Sequence, residues 1–293
     1  MSARAETATT PAVVVAGCAL ADLVAGEPAA LRLVGGRRGS HAYLRLARGR
    51  RLLAVEAHGG IELPIAVSVP SDVVDLVHDA RRVAIGRGAL VVDDAALPIG
   101  HLRDDRPAFA FDAAGARAAA RAIESALGHH RPPAEPPAVT RAVASFGDAL
   151  VRTPCEALDA ARGLVGLGLG STPSGDDVVA AAAATLASLV RGRSPLAPWA
   201  VGALAALDPV LGAAEASTAP LSAELLAVAA RGHMLPRLRA VLAAAGHGDA
   251  GKAVDALVAV GHASGYFLAT GAALALAAAA SNDNTERTHA KSP

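Results

Sequence analysis

The spacing of apolar residues changes character along the chain. Between Ala12 and about Gly100 the apolar runs are short, rich in β-branched residues and broken by glycine or proline. Residues 42–46, 51–56 and 65–69 predict strands, with turns at Arg48-Gly49-Arg50 and His58-Gly59-Gly60. Residues 90–92 and 96–99, joined through Asp93-Asp94, predict a hairpin. Ser71-Asp72 is expected to cap a short helix reaching Ala80, and an alanine-rich helix follows Asp112. Arg131-Pro-Pro-Ala-Glu-Pro-Pro137 reads as a stiff linker, after which the helical pattern is nearly unbroken to Ala280. The expected architecture is α+β: an N-terminal, mainly antiparallel β unit over residues 11–130, then a C-terminal α-helical unit over 138–280. Residues 131–137 link them, and residues 1–10 and 281–293 are expected to be disordered tails.

The densest chemistry lies where two predicted helices meet in the second unit. Thr153-Pro154-Cys155-Glu156 forms a capping box with proline at the first helical position. That helix should end among Gly166, Gly168 and Gly170. Thr172-Pro173 then repeats the start signal: Thr172 as N-cap, Pro173 at N1, Asp176 and Asp177 in or near the first turn. Residues 178–190 follow as a helix with almost no polar residue. Gly168, Gly170, Ser171, Thr172, Ser174, Gly175, Asp176 and Asp177 thus fall within ten positions. A permissive loop, several hydroxyls and free N–H groups at the positive end of a buried helix are the elements of a small-anion site. Each residue also has a plainer role, Thr172 as a cap and the acids as partners of the helix dipole. A buried carboxylate pair is nevertheless costly unless it meets protons, cations or donors. Two known phosphate patterns do not fit. A P-loop needs Gly-Lys-Ser/Thr, and the spaced glycines follow a helix where a dinucleotide fingerprint follows a strand.

Two later segments share this chemistry. Thr218 and Ser222 are four residues apart and share a face if a helix begins by Pro220. Capping and back-bonding to a carbonyl are their alternative roles. His262 sits in a glycine-bracketed turn between helices, where Ser264 and Gly265 offer donors at the next helix start. A histidine there also serves as a C-terminal cap. His58, His78, His101 and His129-His130 lack ligand spacing with a carboxylate or cysteine, and Cys18 and Cys155 are too few for a disulfide framework or structural zinc. Asp93-Asp94 and Asp104-Asp105 read as turn residues. No metal site is expected, and the pattern selects no cofactor.

Composition trims the remaining classes. Lys+Arg and Asp+Glu are each 27, so no global field recruits nucleic acid or an anionic membrane. Aromatics at 2% leave no stacking platform for single strands. The only lysines are Lys252 and Lys291, near a surface-like turn and in a polar tail, which argues against Schiff-base chemistry. Residues 264–280 are apolar but short and alanine-rich, which favours a packed core helix over a membrane span. The N-terminus lacks the pattern of a signal peptide, so a soluble, cytoplasmic protein is expected. Between Gly163 and Ala280, 118 residues hold only thirteen charged side chains. Either a partner subunit covers part of that surface, or exposed alanine does.

The string Gly166-Leu-Gly-x-Gly-x-Thr-Pro-Ser-Gly-Asp-Asp177 resembles the signature of the AllH-type family. Ser217-Thr218-Ala219-Pro220-Leu221-Ser222-Ala223-Glu224 resembles its second motif, followed by Ala-Ala-Arg-Gly at 229–232. Gly261-His262-Ala263-Ser264-Gly265 resembles its third. The resemblance spans roughly residues 150–280, and Ser171 departs from it, standing where the family usually has leucine. The family includes a subunit of oxamate carbamoyltransferase from anaerobic allantoin breakdown, a branch of purine catabolism. The resemblance therefore implies a transferase subunit that works beside partner proteins. It would handle a small anion: phosphate, carbamoyl phosphate, or oxamate/oxalurate. Carbamoyl transfer needs donors for phosphate and the developing oxyanion, and an acceptor for the amine proton. Gly168, Gly170, Ser171, Thr172, Ser174, Gly175, Thr218, Ser222, Ser264 and Gly265 are the expected substrate-binding positions. Asp176 or Asp177 would receive the amide donor or a proton, with His262 as a second acid–base or anion contact. The alternative is a non-catalytic anion-binding or assembly subunit, with the chemistry on partner chains. Either way, the three motifs should converge at one pocket.

Overall fold

The computed structural model describes residues 14–289, so the expected tail at 1–10 and the end of the one expected at 281–293 lie outside the described residues. The chain divides into two compact units at Arg103/Asp104. In the first, β1 (Val14–Gly17) leads through a 3₁₀ turn into α1 (Ala21–Ala25), β2 (Ala29–Arg37), β3 (His41–Leu46) and β4 (Leu52–Ala57). Then come β5 (Ala66–Val69), α2 (Ser71–Asp79), β6 (Val83–Gly86), β7 (Ala89–Val92) and β8 (Ala95–Arg103). The eight strands close into a barrel in the order β1-β5-β4-β3-β2-β6-β7-β8. The pairings are antiparallel except β1–β8 and β4–β5.

Alternation explains β3, where Ala42 and Leu44 are fully buried between less buried neighbours. Strands β4 and β5 are buried almost throughout, and α2 lays Val73, Val74 and Val77 against the β3–β4 side. The connection 58–65 does not close a hairpin; it carries the chain back so that β5 runs parallel to β4. Its anchors are polar. The Glu62 amide donates to Glu56 Oε2 at 2.7 Å, and Arg103 donates to the carbonyls of Glu62 and Leu63 at 2.9 and 3.0 Å. Burial pushes the Glu56 carboxyl upward, and the backbone amides of Glu62 and Leu63, with the Arg103 charge, oppose the shift.

The second unit contains α3 (Ala113–Leu127), α4 (Pro137–Arg152), α5 (Pro154–Leu164), α6 (Ser174–Arg191) and α7 (Ala197–Ala213). A 3₁₀ turn precedes α8 (Pro220–Ala229), α9 (Pro236–Gly246), α10 (Gly251–Val258) and α11 (Ser264–His289). The predicted cap at Thr153 forms, accepting from the Glu156 amide at 3.2 Å, and Asp112 caps α3 by accepting from the Gly115 amide at 2.7 Å; the expected Ser71-Asp72 cap does not form, because α2 has Pro70 at its cap position. Helix α6 is the hub, packed by α4, α5, α7, α8 and α11. Apolar on every side, it needs partners on every side. Its contact with α11 is close: a Cβ on Gly271 would lie 2.2 Å from the Val178 carbonyl oxygen.

The unit boundary differs from the expected linker. Residues 131–137 connect two helices of one unit, because α3 packs on α11 and α9. Residues 104–112 also belong there: Asp105 and His233 form a buried hydrogen-bonded pair, and the Met234 amide donates to the Asp105 carbonyl. Asp105 is therefore a core anchor, whereas Asp93 is the expected turn residue, accepting from the amides of Arg81 and Arg82. Helix α11 continues to His289 through part of the expected tail. Two stretches, Ala197–Ala216 and Ser264–Asn282, are long and apolar enough to cross a membrane; the second is 67% buried against the bundle, the first only 33%.

Gly271→Ala should destabilise the chain by about 1–3 kcal/mol, because backbone must give way at that crossing. Gly202→Ala, on α7 with open space around the new methyl, should instead stabilise by about 0.5–1 kcal/mol. Urea denaturation of both variants checks the pair.

Candidate functional site

Three chain segments meet at the first turn of α6, and the side chain that joins them is Asp176. Its Oδ1 accepts from the Gly166 amide at 2.6 Å. Its Oδ2 accepts from Ser222 Oγ at 2.6 Å and from the Thr218 hydroxyl. Asp176 is 1% exposed, so these three donors replace the water it loses. Gly166 is glycine for a steric reason: its φ is +83°, and a Cβ there would lie 2.1 Å from the Ser217 carbonyl oxygen. The first and second motifs are thus locked together.

The third motif enters through Ser264. Its hydroxyl hydrogen-bonds Thr172 Oγ1 at 3.0 Å and faces the carboxyl of Asp177. The expected N-cap role of Thr172 is not observed. Helix α6 starts one residue later than that role requires, with Pro173 at the cap position, which frees the Thr172 hydroxyl for Ser264. Gly265 is buried in the first turn of α11, its amide donating to the Val260 carbonyl.

Asp177 is 7% exposed and differs from its neighbour. Its Oδ2 is buried and accepts no hydrogen bond. Burial raises its carboxyl well above the usual range; the charges of Asp176 and Glu135 push the same way, and only the Ser264 hydroxyl opposes them. Glu135 stands beside it. Its Oε1 accepts from Ser174 Oγ at 2.6 Å, while its Oε2 is likewise buried and unpartnered. Sequence reasoning missed Glu135, which sits between prolines in a segment that reads as a spacer; an acid in so apolar a stretch was the available signal.

Residues 164–276 match a family model described as oxamate carbamoyltransferase subunit AllH. The match supports an AllH-type family for this part of the chain. No curated protein and no solved structure matches the chain. The AllH match covers all three motifs and ends within α11.

The remaining expected positions fall at the edge of the cluster. Ser171 and Gly170 are exposed on the loop, and Gly168 approaches the Ser174 amide at its inner end. His262 is exposed on its turn and makes no hydrogen bond among the described residues. The expectation of free N–H groups at the start of α6 is largely overturned. The Gly175 amide donates to the Leu167 carbonyl at 2.9 Å, and those of Asp176 and Asp177 donate to the Pro173 carbonyl at 2.9 and 3.2 Å. Tight winding of residues 165–173 uses these donors internally. At the opposite end of α6, a cleft of about 310 Å3 is lined by Arg106, Arg191 and Arg239 with Phe109. Arginine is so abundant in this chain that the sequence did not single them out.

The two aspartates should respond differently to removal of charge. Asp176→Asn turns an amide group toward three donors and should cost at least about 1–3 kcal/mol. For Asp177 the sign is reversed. A carboxyl whose folded pKa is raised contributes stability that is complete below its unfolded value near 3.8 and is lost as pH rises toward the folded pKa. Asp177→Asn should abolish that decline and leave the protein at least as stable at neutral pH. Urea melts from pH 4 to 8 separate the outcomes.

Proposed function

We propose that this chain is a carbamoyltransferase-type subunit that holds a small anion, phosphate, carbamoyl phosphate or oxamate/oxalurate, where the three motifs meet. The carrying observation is the hydrogen-bonded junction of the first two motifs on Asp176 and of the third on Thr172 through Ser264, with an unsatisfied Asp177 beside it. A buried group that accepts no hydrogen bond costs free energy in the free protein, so a complementary ligand gains by reaching it. The Ser171 hydroxyl is exposed to donate to the anion's oxygens, and those of Thr172 and Ser264, which bond each other and Asp177 in the free protein, turn toward the anion when it binds. Asp176, saturated by its three donors, shapes the site. Asp177 is the charge that a bound ligand has to answer.

In the reaction direction easiest to follow, a phosphate oxygen attacks the ureido carbonyl of oxalurate and the carbon–nitrogen bond breaks. Oxamate leaves with a proton on its nitrogen, and carbamoyl phosphate is formed. That chemistry needs a proton donor for the leaving nitrogen and a dry site. The outward position of His262 favours a second reading, in which partner chains complete the acid–base set and this subunit binds without turnover alone.

Other protein partners are what the match to a subunit family suggests. Leu169 on the motif loop is the most exposed large hydrophobic among the described residues, at 67%, and is the position this reading puts against a partner.

The chain co-purified with its native partners should cleave oxalurate only when phosphate is present. Thr172→Val combined with Ser264→Ala should lower that rate at least about tenfold, as expected for loss of oxyanion and phosphate donors. Unchanged cleavage would remove the motif junction from the chemistry. Leu169→Asp should weaken co-purification with the partners at an unchanged melting temperature, because the side chain is exposed in the isolated chain.

A further inference from the structure

The motif junction holds three carboxylates, and only one of them is satisfied. Asp176 has three donors, whereas Asp177 Oδ2 and Glu135 Oε2 are both buried and accept nothing. Among the described residues, none of the three forms an ion pair. An anionic ligand brought to this place meets like charge, and three amides in the first turn of α6 that would attract it, those of Gly175, Asp176 and Asp177, are already engaged. The hydroxyls alone do not reverse that repulsion. A hard divalent cation does. Magnesium typically uses one or two protein carboxylates, keeps several waters, and takes its remaining ligands from a substrate's phosphate oxygens.

We propose that Asp177 Oδ2 and Glu135 Oε2 bind a divalent cation of the magnesium or manganese type, which then recruits the anionic substrate. The inference rests on the motif junction being the ligand site, and it adds the charge that the site lacks. The hydroxyls around it fit the same arrangement. Ser174 donates to the other oxygen of Glu135, and Ser264 faces Asp177, so each carboxylate is oriented by a neighbour while one oxygen stays unused. Asp176 is excluded as a ligand because its oxygens are occupied. All-oxygen donors favour magnesium, manganese or calcium over zinc or copper. Helix α6 is 18 residues long, and Asp177 is fourth in it, so the acids lie within its first turn rather than on a frayed end.

The test measures cation binding with no anion present. Manganese(II) is titrated into the full-length chain and followed by electron paramagnetic resonance, with magnesium and calcium as competitors. The wild type should bind one manganese ion, displaced by magnesium. Glu135→Gln and Asp177→Asn should each weaken it at least about tenfold. Glu135 lies in an extended segment and is only part-buried, so Glu135→Gln tests the site even if Asp177→Asn folds poorly; circular dichroism melts report folding. Phosphate binding by calorimetry should then appear with magnesium and vanish with EDTA. Wild-type protein that binds no manganese, or variants that bind it as tightly as wild type, would overturn the cation site. Phosphate binding that ignores EDTA but is lost in Thr172→Val/Ser264→Ala would overturn it too, while leaving the anion site itself intact. Absence of phosphate binding under every condition, with manganese bound, would instead fault the anion reading alone.

Discussion

The carboxylate of Asp176 collects hydrogen bonds from residues 10, 42 and 46 positions away, and the shape of the helical unit around α6 follows from that. Hydrogen bonds to a charged group are worth about 1.5–3 kcal/mol each, whereas an ion buried without them costs several kcal/mol. The favourable direction of the helix dipole at the N-terminus adds a smaller contribution. Burying the head of α6 is therefore possible only if the chain returns twice to the same point with a donor in hand. Gly166 returns as backbone, and Thr218 and Ser222 return as hydroxyls on either side of the start of α8. The constraint also explains the sterics: Gly166 has to pass the Ser217 carbonyl closely enough to present its amide.

Asp177, the next residue, meets a different environment because successive helical side chains point about 100° apart. It looks toward Ser264 and Glu135, where one hydroxyl serves a carboxylate with an oxygen to spare. Two adjacent acids of the same type thus divide their work. One is consumed by the fold, and the other is left with an unmet requirement. An interior that tolerates such a requirement spends stability on it, and stability left unspent on folding is what a ligand can recover on binding. The sequence alone presents the pair as equivalent; only the paths of α8 and of the segment before α4 tell them apart.

Much of the site was legible because it depends on local chemistry. Asp112 and Thr153 cap where their spacing to the next amide says they should, and each of the three motifs carries hydroxyl and glycine residues at a helix end. What the sequence could not disclose depends on tertiary paths. Thr172-Pro173 has the local form of a cap and first turn, yet the hydroxyl is claimed by Ser264, 92 positions away. Glu135 is invisible for the same reason, its partner being Ser174 across an intervening helix pair. In the barrel, β2 escapes the alternation test because Gly35 and Gly36 interrupt it and its register shifts between Leu33 and Gly35. β1 and β6 are four residues each, too short for periodicity to register, and β5 and β7, equally short, were legible only as compact apolar runs. The linker assignment failed because proline content reports stiffness and says nothing about which unit the flanking helices pack into.

The scarcity of charge in the helical unit has two explanations, and the exposed residues bear on them unequally. A chain biased toward alanine covers its surface with alanine, and such a bias accounts for the small residues on α7. It does not account for Leu169, which stands 67% exposed between Gly168 and Gly170. Neither glycine has a side chain to shelter it, and the loop geometry sets no demand for an apolar residue there. If the hydroxyls beside Leu169 act on an anion as proposed, a partner surface closing over this leucine would give them the dry environment that chemistry needs. Composition bias leaves the exposed leucine without a reason. The subunit reading gives it one, since the protein that covers Leu169 would also exclude water from the junction behind it.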